Sequence, residues 1–171
     1  MNQIDIDGIV FSFQKEWVLT KYDSWVFYKT HFIKLLNGIK AIDLLAFDKN
    51  KKELWLVEVK DYRNRRREKT LDLYTEVLKK SFDTLAALLP AKMNATIQEE
   101  KEYAKLFLTA HKIRIVLYIL QAKKPSKLFP QIINLSNACI KFKEVMHYID
   151  PHALITDGIQ YKNKIPWNCS L

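Results

Sequence analysis

Glycine is scarce in this sequence, with three in 171 residues. GxGxxG turns and Walker loops are therefore excluded, and with them the usual glycine-built cradles for nucleotides. Cysteine is nearly absent as well. Cys139 falls in a helical pattern and Cys169 in the last three residues, which excludes a disulfide framework and zinc-ligand spacing and fits a reducing compartment. The histidines, His31, His111, His147 and His152, show no paired spacing and are read as ordinary surface or core residues. No uncharged apolar run approaches the about 20 residues that cross a bilayer. The opening MNQIDIDGIVFSFQKEW has acids where a secretory signal has bases. A soluble, cytoplasmic protein without a membrane partner is the expectation.

Acids are the minority charge. Nineteen Asp and Glu against 28 Lys and Arg leave a formal charge of +9, which suits a polyanionic partner such as nucleic acid. What is abundant is core material: 49% of residues are hydrophobic and 12% aromatic, enough for one domain over residues 1–171. The aromatics of FSFQKEWVLTKYDSWVFYKTHFIKLLNG permit a helix, or an extended segment and then a short helix capped at Asp23-Ser24 and stopped at Asn37-Gly38. Trp17, Trp25 and Tyr28 are assigned to the core rather than to base stacking.

IKAIDLLAF and ELWLVEVK, separated by DKNKK, read as a β-hairpin. Leu71, Tyr74, Leu78, Phe82, Leu85 and Leu89 mark a long amphipathic helix ended by Pro90. On that helix Lys80 lies opposite the apolar stripe and is assigned to solvent, while Lys79 sits nearer its edge, toward the site. MNATIQEEKEYAKLFLTA gives a linker and a second helix, and KIRIVLYILQ a strand buried on both faces. SNACIKFKEVMHYI gives a helix capped by Asn134 or Ser136, and residues from Asp150 form short extended pieces and a loose tail. The expected class is α/β, a small mixed β-sheet flanked by helices on both faces, with a core over about 11–121 and a C-terminal helix and tail over 134–171.

Charges inside the hairpin strands require a reason. If the turn is Lys49–Lys52, Asp48 faces Glu53 and Asp43 stands across from Glu58. Opposed residues have Cβ atoms about 4.5–5.5 Å apart, and like charges there repel. Glu58 and Lys60 share that face by alternation. A slip of one residue would turn Asp43 to the other face. Two acids so placed share a proton or bind a divalent cation, and oxygen ligands without histidine or thiol suit Mg²⁺ or Mn²⁺. Lys60 would orient or help deprotonate the attacking water. The competing structural reading is an ion pair of Glu58 with Lys60 at a strand end, Asp43 holding a local backbone hydrogen bond.

Asp43 in KAIDLLAF, and Glu58 and Lys60 in LWLVEVK, followed by a helix and a strand, resemble the PD-(D/E)XK nuclease superfamily, the restriction-endonuclease-like fold. The position before Asp43 is Ile42, where the pattern has proline. The resemblance implies Asp43, Glu58 and Lys60 as catalytic residues, with Mg²⁺ held by Asp43, Glu58 and the Val59 carbonyl. It implies an Mg-dependent endonuclease or exonuclease hydrolysing phosphodiester bonds, most readily of DNA, with a homodimer where both strands of a duplex are cut. Many members carry a further acid on the first helix, for which Glu16 and Asp23 are the candidates. The run DYRNRRREK supplies Arg63, Arg65, Arg66, Arg67 and Lys69 as candidate phosphate contacts. The alternatives are a catalytically silent nucleic-acid-binding module on such a scaffold, as one subunit of a larger system, and a structural or protein-interaction domain.

Overall fold

The computed structural model describes residues 1–63, 72–122 and 133–170, with 36 and 37 described by backbone alone. The expected hairpin forms β4 (Leu44–Asp48) and β5 (Glu53–Tyr62). Asp48 pairs with Glu53 and Leu44 with Val57, so the turn is Lys49–Lys52. The sequence sets that turn locally: Asp48 Oδ1 accepts from the Asn50 and Lys51 amides at 2.9 and 3.1 Å, the self-bonding that makes Asp a turn former. β6 (Lys112–Gln121) lies parallel to β5, and β7 (Leu154–Thr156) parallel to β6. β3 (Trp17–Lys21) adds on the other side of β4 to give the sheet order β3-β4-β5-β6-β7. A second sheet joins β1 (Asn2–Ile6), β2 (Ile9–Phe13) and β8 (Asn168–Ser170).

The α/β class is as expected, and the two faces of the large sheet differ. One face packs through Trp17, Trp55 and Tyr118 against Phe11, Phe13 and Trp167, edge-to-face or tilted at centroid separations of 5.2–6.3 Å. Phe11 and Phe13 belong to β2, so on this side the small sheet provides the cover. The end of the chain is thus no loose tail. Trp167 is buried and β8 pairs with β2, because burying an indole offsets the cost of ordering the segment.

The other face carries the charged end of β5 and meets the long helix α2 (Leu73–Asn94). Asp72 caps α2, accepting from the Tyr74 and Thr75 amides. The helix runs through Pro90 to Asn94 instead of ending there. Proline removes one helix hydrogen bond, to the carbonyl of exposed Ala86, which water can satisfy. The buried face also differs from the expected stripe. Leu73, Glu76, Val77, Ser81, Thr84, Ala87, Leu88 and Ala91 point inward, while Phe82 and Leu89 are more than half exposed. Small residues let the helix lie close to the sheet, and Thr84 Oγ1 accepts from the Ile42 amide at 3.0 Å.

α3 (Gln98–Phe107) packs along α2, and α4 (Leu135–Met146), capped by Asn134, covers β7. Between β3 and β4 the chain makes a 3-10 turn at Tyr22–Ser24, the short α1 (Val26–Thr30) and a further 3-10 turn at Phe32–Asn37 that ends on Gly38 at φ 105°. Trp25 and Tyr28 are core residues, as expected. Asp23 does not cap α1. Glu100 of α3 does so from a distance in sequence, its carboxylate accepting from the Val26 and Phe27 amides at 2.6 and 3.0 Å.

Glu100→Ala is expected to lower unfolding stability by about 2 kcal/mol, because it strands one buried and one part-buried amide donor. Phe82→Lys on the exposed side of α2 should change it by less than about 0.5 kcal/mol. Urea titration of both variants checks the pair, and a reversed order would refute the helix orientation.

Candidate functional site

At the carboxyl end of β5 the chain brings together charges from a loop, a strand and a helix. The β4–β5 ladder reaches Leu44 and Val57, and the next residues are Asp43 and Glu58. Asp43 Oδ2 accepts from the Val59 amide at 2.7 Å, which fixes the carboxylate against the strand. The Tyr22 amide donates to the Asp43 carbonyl at 3.2 Å, fixing the backbone on the other side. Glu58 is fully buried. Its Oε1 accepts from Lys60 and, at 2.5 Å, from Lys80 Nζ. Lys80 Nζ also lies 3.5 Å from Asp43 Oδ1, and Lys60 Nζ lies 3.7 Å from Oε1 of buried Glu76.

Lys80 thus stands between the two acids. The expectation that Lys80 is solvated and Lys79 faces the site is reversed: Lys79 is exposed, and the Lys80 side chain is 12% exposed. Rotation of α2 by about one residue from the apolar stripe is the cause, and it carries Glu76 and Lys80 inward together. Both were missed. The signal in the sequence was the small-residue row Ser81, Thr84, Ala87 and Ala91, which marks a close-packed face that a hydrophobic stripe does not.

The electrostatics follow from burial. Glu58 is pushed up to about 7 by loss of solvent and by Asp43, while Lys80 and Lys60 pull it down only in part. Its Oε2 has no hydrogen-bond partner among the described residues, the natural seat for that proton. Burial lowers the Lys80 pKa, but Glu58 and Asp43 outweigh burial and leave it above its ordinary value, so the ammonium is charged at neutral pH.

Of the two further acids, Asp23 adjoins this end. Burial raises its pKa, Lys21 lowers it, and Asp43 raises it further, a sign of proximity. One of its oxygens is buried with no partner among the described residues. Glu16 precedes Trp17, which pairs with Asp48 beside the hairpin turn, so Glu16 sits at the opposite end of the strands. Of the basic run, Arg63 is described and forks onto the Asp61 carboxylate at 2.7–3.2 Å. Arg65, Arg66, Arg67 and Lys69 lie outside the described residues.

The donor set fits a resident divalent cation poorly. Asp43 engages Val59 and Lys80, Glu58 Oε1 engages two lysines, and one oxygen of this pair, Glu58 Oε2, is left over. Mg²⁺ requires near-octahedral oxygen coordination. Among the described residues no group of three or more His, Cys, Asp and Glu side chains is placed to hold a metal ion.

No family model matches the chain, and no solved structure matches it. A cysteine–tRNA ligase of Neisseria meningitidis serogroup A is 30% identical over 167 residues, covering 80% of this chain and 24% of the relative. The chain is similar to part of a tRNA ligase. It spans about a quarter of the length of the curated relative it matches. These findings correct the assignment to the PD-(D/E)XK superfamily, which no matching family supports. The nuclease, hydrolase and metal-binding designations that rested on it are corrected with it. The physical reason lies in the cluster: the cation inferred between the acids is an ammonium group of the chain's own α2. Among the described residues, no helix is long and apolar enough to cross a membrane.

Two outcomes test this geometry. Lys80→Met is expected to cost about 3 kcal/mol, since it removes one of the two ammonium groups on buried Glu58 and the one beside Asp43, whereas Lys79→Met should cost less than about 0.5 kcal/mol. Glu58 binds its proton more tightly in the folded chain than in the unfolded one, where its value is the ordinary 4.5. Stability from this group is present below 4.5 and lost as pH rises toward 7. Urea midpoints at about pH 5 and about pH 7.5 should therefore fall further in the wild type than in Glu58→Gln, by on the order of 2 kcal/mol. Equal falls would refute the assignment.

Proposed function

We propose that this chain is an RNA-binding module that grips a folded RNA such as tRNA through its basic surface, without a bond-breaking step of its own. The observation that carries this reading is the identity of 30% with a cysteine–tRNA ligase, a protein whose name specifies tRNA, over 80% of this chain. The same likeness favours RNA over DNA as the partner. Charge supports it. Lys60 and Lys80 are committed to Asp43, Glu58 and Glu76, so the cluster does not supply the chain's +9 excess, a charge that suits a polyanion.

In this reading the cluster is an anchor. It fixes the carboxyl end of β5 against α2, and β5 leads directly into Arg63 and the run Arg65, Arg66, Arg67 and Lys69. Arginine on phosphate supplies affinity and position without base specificity. The shape of the RNA would supply the selectivity.

Fluorescence anisotropy with a labelled tRNA and a duplex DNA of similar length, across a salt series, tests the proposal. The tRNA should bind more tightly than the DNA and lose affinity steeply with salt. Arg65→Ala combined with Arg66→Ala should reduce the slope of log K against log salt by about 1.5. Failure to bind tRNA, or equal binding of the DNA, would sink the reading. Strand scission in Mg²⁺ or Mn²⁺ by the wild type but not by Lys60→Ala would instead show that the cluster opens to a cation and breaks phosphodiester bonds.

A further inference from the structure

The opposite end of the large sheet holds a second group of polar side chains that the cluster does not use. β5 and β6 begin side by side, with Glu53 next to Lys112 and Trp55 next to Arg114. The turn between β4 and β5 is tied to this edge, since the Lys52 carbonyl accepts from the His111 amide at 2.8 Å. The segment before β7 folds beneath it. Asp150, almost fully buried, accepts from the Ile115 amide at 2.8 Å, the His152 amide at 2.9 Å and Arg114 Nη1 at 3.2 Å. These contacts fix the floor of two concavities that share Arg114, Asp150 and His152.

The smaller, of about 230 Å³, is lined also by Glu53, Trp55 and Lys164. The larger, of about 470 Å³, extends past His111 and Lys112, a size within the range of small-molecule sites. The acids here are spoken for. Glu53 lies 3.8 Å from Lys112 Nζ, and Asp150 accepts from three donors, one of them Arg114. Asp150 occupies one terminal nitrogen of Arg114, and a guanidinium has five N–H donors in a fork that matches phosphate oxygens. The Lys164 ammonium, held 5.1 Å from the Tyr161 ring centroid, adds a cation that forms no ion pair among the described residues.

We propose that this notch is a binding site for a phosphate monoester of nucleotide size, with Arg114 and Lys164 on the phosphate and the larger concavity taking the sugar and base. The site stands apart from the RNA-binding reading, being at the other end of the strands from Asp43 and Glu58. Its phosphate belongs either to a free nucleotide or to the 5′ end of a strand, and the chemistry at Arg114 and Lys164 is common to both.

The test is an amide-resolved NMR titration of the full chain with inorganic phosphate, adenosine monophosphate, and an RNA trinucleotide with and without a 5′-phosphate. Saturable shifts at the Ile115, His152 and Lys164 amides are expected with the monophosphate, weakened about fivefold or more by exposed Lys164→Ala and unchanged by Lys79→Ala. The phosphorylated trinucleotide binding more tightly than adenosine monophosphate would identify the strand end as the source, and the reverse order the free nucleotide. Absence of saturable shifts with every phosphate probe would overturn the proposal. So would equal binding of the unphosphorylated trinucleotide at these amides, or affinity unaltered by Lys164→Ala. None of these readouts depends on whether tRNA binds.

Discussion

Glu58 is fully buried in β5 where its pairing with β4 ends, next to a second carboxylate, and this arrangement persists only because two ammonium groups reach it. An isolated carboxylate in such a place costs several kcal/mol. The chain meets that cost with Lys60 from the same strand, Lys80 from α2, and a proton that Glu58 retains up to about pH 7. The consequences spread through the fold. α2 must present its polar and small residues inward, its large apolar residues are turned partly out, and Asp43 must lie where Lys80 and the Val59 amide both reach it. The position of one buried acid thus sets the rotation of the longest helix.

The two ends of the sheet share a design and differ in its use. At the carboxyl end of β5 the charges compensate one another inside the protein, which leaves rigidity. At the amino ends of β5 and β6, buried Asp150 organises two amides and one guanidinium nitrogen while Lys164 and the rest of Arg114 face a concavity. Compensation within the protein makes an anchor, and partial compensation beside open volume makes a binding site. The parallel pairing of β5 with β6 collects the second set, and the packing of α2 on β5 the first.

Much of this was readable from local chemistry. The turn at Lys49–Lys52 is dictated by Asp48 and the polar run after it, and with the turn fixed, alternation alone puts Asp43, Glu58 and Lys60 at one end of one face. The bounds of β6 and the cap of α4 were equally local. The reading failed where hydrophobicity was taken as the guide to α2. Phe82 and Leu89 advertise a buried stripe, but a helix lying close to a sheet prefers Ser81, Thr84, Ala87 and Ala91, and the polar groups beside that row were recruited to the cluster. Pro90, too, does not stop the helix, and the carbonyl it frees belongs to exposed Ala86.

The sequence by itself determined the α/β class, the hairpin register and the meeting of two acids with a lysine, because each follows from neighbours along one chain segment. Tertiary structure alone decided what compensates those acids, since Lys80 reaches Asp43 and Glu58 only through the rotation of α2 against the sheet. It likewise decided that Asp23 rather than Glu16 adjoins them, that Glu100 caps α1 from another helix, and that the last strand closes a second sheet. The reason is common to all of these: which residue satisfies a buried charge or an open backbone donor depends on what packs against it, and that partner lies elsewhere in the chain.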